Sequence, residues 1–154
     1  MLVSKRHLEA TAGHARAIVV NSGCANACTG ASGMNDASRM ASDTAAALGC
    51  AANEVLVAST GVIGVALPIE KVAAGIRTAV AALARGKGSE TARAIMTTDP
   101  FPKEQAVSVQ TPQGTFCVAG TAKGSGMIEP NMATMLGFLT TDADVPPEIG
   151  RAHV

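Results

Sequence analysis

The chain has 154 residues, no formal net charge at pH 7, and 47% apolar residues that include only three Phe and no Tyr or Trp. That length is about one domain, and an apolar set of Ala, Val, Met and Leu favours close packing of helices on sheets. Balanced charge argues against nucleic acid, which needs clustered Lys and Arg; no apolar run reaches the roughly 18 residues of a membrane span, no signal peptide is evident, and the chain reads as cytoplasmic.

Residues 2–10 are a short amphipathic piece with Lys5, Arg6 and Glu9, to which no chemistry is assigned. Ala17-Ile-Val-Val20 is a compact β-branched run and predicts a buried strand, ended by the turn cluster Asn21-Ser22-Gly23. The small residues Cys24-Ala-Asn-Ala-Cys-Thr-Gly30 follow. They read equally as a strand-to-helix turn and as a ligand-site wall, because small residues let backbone amides approach a bound group. Cys24 and Cys28 have three residues between them, not the two of a zinc knuckle, and no His lies near, so no metal site is expected. Cys24, Cys28, Cys50 and Cys117 are expected to be free thiols that pack as small buried hydrophobes in a reducing compartment.

Residues 32–48 predict a helix with Gly49 as its C-cap. Glu54-Val-Leu-Val-Ala58 predicts a second strand, which runs into Ser59-Thr60-Gly61. Taken alone, that tripeptide is a turn. It also aims a hydroxyl and an unobstructed amide at one point, as an oxyanion hole requires. Residues 68–84 begin with Pro and repeat apolar side chains at helical spacing through Ile69, Val72, Ile76, Val80 and Leu83, leaving Glu70, Lys71 and Arg77 on a solvated face. Gly86-Lys87-Gly88 is a loop; the rest of a phosphate-binding loop motif is missing. Residues 89–96 predict a short helix with Ser89 as N-cap. Thr97-Thr98-Asp99-Pro100 reads as a turn, since Asp and Thr bond their own backbone. Residues 106–111 and 115–121 predict two strands joined at Pro112-Gln-Gly114.

Residues 123–142 read KGSGMIEPNMATMLGFLTTD and are the most informative stretch. Gly124 and Gly126 permit positive φ and close backbone approach, and Pro130 fixes φ and removes a donor. Met135-Leu-Gly-Phe-Leu139 has the character of a buried strand. A constrained backbone thus delivers the Thr134 hydroxyl to a strand start, a geometry that suits a nucleophile.

This stretch resembles the self-cleavage site of the ornithine acetyltransferase family, the glutamate N-acetyltransferases of the cyclic arginine pathway. That family cuts itself between Ala and Thr of KGxGMIxPNMATML, here Ala133 and Thr134, and the match is long and ungapped. The resemblance covers roughly residues 2–145. It implies an α/β layered sandwich of mixed sheets with packed helices, the fold of self-cleaving threonine-nucleophile acyltransferases, here incomplete. It makes residues 1–147 a partial acetyltransferase domain, most of the first chain plus the start of the second, with the remainder of the second chain and a further N-terminal segment outside the sequence. Residues 148–154 depart from the family pattern, match what an in-frame sequencing adapter would encode, and are read as a non-native tail.

The resemblance further implies roles. Thr134 is the nucleophile, and Thr60 and Gly61 supply the oxyanion hole. The substrate-contacting Thr of the TTD element is Thr97, with Thr98 in reserve, and Lys123 meets a substrate carboxylate. The run 21–30 resembles the family's loop after this strand, and it reads equally as a turn and as a wall of the acyl site. Acetyl would pass from N-acetylornithine to glutamate through an acetyl-threonine, with the α-amine uncovered by cleavage as base. No cofactor or metal is implied; acetyl-CoA as a second donor is left open. The partners implied are these substrates and the missing portion of the second chain, in a hetero-oligomer of two cleaved chains, without nucleic acid or membrane. This piece alone is expected to be inactive. Two other readings fit the residues: an N-terminal-nucleophile amidohydrolase or aminopeptidase, and a non-enzymatic α/β module that binds a small molecule.

Overall fold

The computed structural model describes residues 1–125 and 135–146. The elements run α1 (Leu2–Ala10), β1 (Ala17–Cys24), α2 (Gly30–Leu48), a 3₁₀ turn (Ala52–Glu54), β2 (Val55–Val62), α3 (Ile69–Ala81), α4 (Gly88–Ala94), β3 (Lys103–Thr111), β4 (Gly114–Lys123) and β5 (Leu136–Thr141). Among the described residues they form two sheets: a parallel pair, β1 and β2, and an antiparallel sheet ordered β3-β4-β5. Mixed strand directions with helices packed on a sheet make this the expected α/β architecture.

The first half is a β1-α2-β2 crossover, the way a helix lets two parallel strands lie side by side. Helix α2 ends where Gly49 takes the left-handed conformation at φ 70° and the Cys50 amide closes onto the Ala45 carbonyl at 3.1 Å. This is the glycine termination the sequence predicts. Alternate residues of β1 and β2 face the helices. Val55 and Val57 join Val3, Met40, Ala41, Ala45, Leu67 and Ile76 in the core, with Ala17 and Val19 packed against them. Helix α1 covers the outer edge of β2. The Ser4 hydroxyl donates to the Val57 carbonyl at 2.9 Å and accepts from the Val57 amide at 2.8 Å, while His7 Nδ1 lies 2.8 Å from the Val55 carbonyl. Two side chains thus satisfy strand-edge groups that would otherwise be free to pair with another chain.

Several expectations are corrected. β1 and β2 do not end at their turn-like residues. They continue through Asn21-Ser22-Gly23 and Ser59-Thr60-Gly61, because parallel pairing carries on in register to Gly23↔Gly61. Turn chemistry yields here to a partner strand. Neither β1 nor β5 is a buried strand: Ile18 is 52% and Leu139 83% exposed, since only one face of each is covered. Ser89 is not an N-cap. Helix α4 starts one residue earlier, and the Ser89 hydroxyl donates to Glu104 at 2.5 Å. The four cysteines are free as expected, yet Cys28 and Cys117 are exposed and Cys24 and Cys50 only half-buried. Residues 133, 134 and 148–154 lie outside the described residues.

Met40 has no exposed surface, whereas Leu83 is 68% exposed. Met40→Ala should therefore cost the full-length protein about 2–5 kcal/mol through the cavity it leaves. Leu83→Ala should stay within about 0.5 kcal/mol. Thermal and urea unfolding of the two variants check this.

Candidate functional site

The site forms where the two sheets meet. Lys123 is the last residue of β4, and the strand brings its side chain inward against the face of β2 that the helices leave open. The residue as a whole is only 5% exposed. It donates to the Thr60 hydroxyl at 3.1 Å and to the Thr97 hydroxyl at 2.7 Å. An ammonium has no acceptor. Both threonine oxygens therefore accept from Lys123, and each hydroxyl keeps its own proton to donate elsewhere. Three residues singled out from sequence, 63 and 26 positions apart in the two pairs, meet at one nitrogen.

Burial of a charge is costly unless it is paired. Among the described residues Lys123 has no carboxylate within ion-pair distance. It borders an open cavity of about 700 Å³ that is also lined by Gly23, Gly61, Met96, Thr97 and Ser125. A buried ammonium beside such a cavity has the chemistry to receive an anion such as a carboxylate. Thr98 lies on the same wall; Thr60 does not, having no exposed surface. Of the run 21–30, Ser22 and Gly23 reach the cavity.

Gly61 is held there by backbone geometry. Its φ of +132° is one that residues with a side chain rarely adopt, and a Cβ would collide with the Gly23 carbonyl and lie 2.6 Å from the Cys24 amide. Strands β1 and β2 approach closely at a glycine facing a glycine, and both glycines line the cavity.

Asp99, which the sequence suggests only as a turn former, is the residue that sequence reasoning missed. Its side chain is 1% exposed. Oδ1 accepts from the Gly124 amide at 2.6 Å and from Lys103 Nζ at 2.8 Å, and Oδ2 accepts from the Thr97 amide at 3.3 Å. Burial pushes the carboxyl pKa up, but the Lys103 hydrogen bond and the Gly124 and Thr97 amides outweigh it and hold it well below the usual carboxylate range. The local Asp-to-amide turn was legible in Thr-Thr-Asp-Pro; the bonds to Lys103 and Gly124 were not, because they depend on how β3 and β4 pair.

Comparison with known proteins gives a consistent picture. The model of the ArgJ family matches residues 1–154. The arginine biosynthesis bifunctional protein ArgJ of Symbiobacterium thermophilum is 57% identical over 133 residues, which is 86% of this chain and 33% of that protein. The protein of the same name from Chlorobium chlorochromatii is 54% identical over 149 residues, 97% of this chain and 35% of that one. The chain thus spans about a third of the length of the curated relatives it matches. Among solved structures, the ornithine acetyltransferase of Mycobacterium tuberculosis complexed with ornithine superposes with a TM-score of 0.75 at 43% identity, covering 84% of this chain and 68% of that one. The argJ protein of Bacillus halodurans gives 0.74 at 38% identity, covering 86% and 69%.

A carboxylate whose pKa is depressed on folding adds stability that is present above its unfolded value of about 3.9 and is lost as pH falls through the lower folded value. The protein should therefore weaken on acidification below about pH 4, and Asp99→Asn should flatten that part of the curve. Unfolding midpoints from pH 2 to 6 check this. Gly61→Ala should also force β1 and β2 apart, at a cost of at least about 1–3 kcal/mol, measured by thermal unfolding.

Proposed function

Because this chain belongs to the ArgJ family, we propose that the full-length protein transfers an acetyl group from N-acetylornithine to glutamate, in arginine biosynthesis in the cytoplasm. The observation that carries this reading is the meeting of Lys123 with Thr60 and Thr97 beside Gly61. It places a cation, two hydroxyls and an unobstructed backbone at the start of the segment that leads to Ala133 and Thr134.

The scheme runs in two stages. In the precursor the Thr134 hydroxyl attacks the Ala133 carbonyl. The peptide C–N bond breaks, the nitrogen takes the hydroxyl proton, and an ester remains. Water hydrolyses the ester, releasing Ala133 as a carboxylate and Thr134 as a new N-terminus. A free α-amine titrates at about 7.7–8.0, so a useful fraction is neutral near pH 7 and can serve as base. In the second stage that amine takes the proton of its own hydroxyl as the oxygen attacks the acetyl carbonyl of N-acetylornithine. The amide nitrogen receives the proton and ornithine leaves. The glutamate amine then attacks the acetyl-threonine ester and regenerates the hydroxyl.

Each described residue has a task in this scheme. Gly61, whose backbone lines the cavity, and Thr60, which is fully buried in this partial chain and must present its hydroxyl to the cavity in the full-length protein, stabilise the oxyanion. Thr60 is suited to it because its oxygen already accepts from Lys123, which leaves its proton to donate. The Lys123 ammonium holds the substrate carboxylate, and Thr97 supports it. Acetyl-CoA as second donor would acylate the same Thr134 oxygen, with a thioester in place of the amide. The scheme uses no metal or cofactor. The polypeptide beyond this chain supplies further substrate contacts and covers the apolar surface of β1 and β5, where Ile18 and Leu139 are exposed, in a hetero-oligomer of the two cleaved chains.

Thr134→Ala in the full-length protein should give a single uncut chain by intact mass and no acetyl transfer; a normally cut variant would refute the assignment. Thr60→Val should cleave slowly and lose about 10²–10³-fold in kcat, with an unchanged kcat counting against its role. Acetyl release to water in place of transfer to glutamate would favour an amidohydrolase.

A further inference from the structure

We propose that Asp99 is a positioning residue of the acyl site: its carboxylate ties the Thr97 bend to the Lys123-Gly124 segment and so fixes the Thr97 hydroxyl and the Lys123 ammonium at one spacing for a substrate carboxylate. The inference rests on the reading that Lys123 and Thr97 contact the substrate.

The two segments belong to different parts of the fold. Thr97 follows helix α4, whereas Lys123 ends β4. Among the described residues no main-chain hydrogen bond joins the bend at 97–100 to residues 123–125. The direct links are the Lys123–Thr97 bond, which involves the functional groups themselves, and the Asp99 carboxylate. Two oxygens receive three donors: the Gly124 amide at 2.6 Å, Lys103 Nζ at 2.8 Å and the Thr97 amide at 3.3 Å. A carboxylate accepting from amides on both segments holds them rigidly, as charge-assisted bonds are short and strong. Asp99 is absent from the cavity wall and its side chain is 1% exposed, so it acts through Thr97 and Lys123 and does not touch substrate.

Charge placement supports this assignment. The ammonium that pairs with Asp99 is that of Lys103, which leans over the Phe101 ring at 4.9 Å to its centroid. Lys123 is not within ion-pair distance of Asp99. Asp99 is thus neutralised by one lysine while it orients the other, and no carboxylate among the described residues takes up the positive charge of Lys123. The depressed pKa keeps the carboxyl ionised throughout the range in which a free α-amine can act as base.

The test uses the full-length protein and steady-state kinetics with N-acetylornithine and glutamate. Asp99→Asn puts an amide N–H against a donor it must accept from. Asp99→Glu keeps the charge but shifts the oxygens by one methylene. Each should raise KM for N-acetylornithine by at least about tenfold, since a misplacement of roughly 1 Å is enough for losses of that size. In a Thr97→Val background the same substitutions should change KM less than about threefold, because one of the two groups they position is gone; coupled residues are not additive. A purely structural role would give additive effects that track the unfolding midpoint. Both Asp99 variants within twofold of the parent in KM, or fully additive with Thr97→Val, overturns the inference, as does loss of the fold in both. If Asp99→Asn alone fails to fold, Asp99→Glu is read by the same criteria. A parent that shows no transfer, or a Thr97→Val variant with unchanged KM, refutes the functional reading and this inference with it. A raised KM in Thr97→Val with flat Asp99 variants refutes this inference alone.

Discussion

A lysine ammonium that is buried against two hydroxyls is the interaction on which the site depends. Withdrawing such a charge from water is unfavourable, and two neutral acceptors do not replace a counter-ion. The fold accepts that cost at Lys123, where β4 ends beside β2. The consequence is a cavity edge with a positive charge that no carboxylate among the described residues matches, and two hydroxyl protons that donate to none of them. Everything else in the site serves to keep that nitrogen in place.

Two local devices do so. Parallel β1 and β2 run past their turn-like residues to a glycine pair, Gly23 and Gly61, where the backbones come closer than any side chain would allow. Both glycines line the cavity. On the other side the Asp99 carboxylate gathers amides from the Thr97 bend and from Gly124, with Lys103 as its own counter-charge. One device is steric and the other electrostatic.

Much of this was legible in the sequence, and the part that was not has a physical cause. The crossover helix was read closely because Gly49 can stop a helix in the left-handed conformation. The β3–β4 hairpin was read because Gly114 marks its turn. The Ser-Thr-Gly and Asn-Ser-Gly tripeptides look like strand ends in the sequence, since local propensity cannot register that each has the other as a pairing partner. Exposure of Ile18 and Leu139 was hidden for the same kind of reason: an apolar strand announces a wish for burial, not the identity of what covers it. Asp99 satisfied a plausible local turn, and that masked its long-range bonds. The chain spans about a third of its curated relatives, so strands that are half-covered here are consistent with the place of this segment in a longer protein.

The central claim is that Lys123 is buried for a ligand and not for the fold. Replacing it with Met in the full-length protein separates the two most directly, because Met fills similar space without charge. The account predicts a KM for N-acetylornithine raised by about 10–100-fold, the loss of a charge-assisted hydrogen bond of about 1.5–3 kcal/mol, together with an unfolding midpoint that is unchanged or higher. A Lys123→Met protein that unfolds at a much lower temperature yet binds N-acetylornithine as tightly as the parent would contradict it.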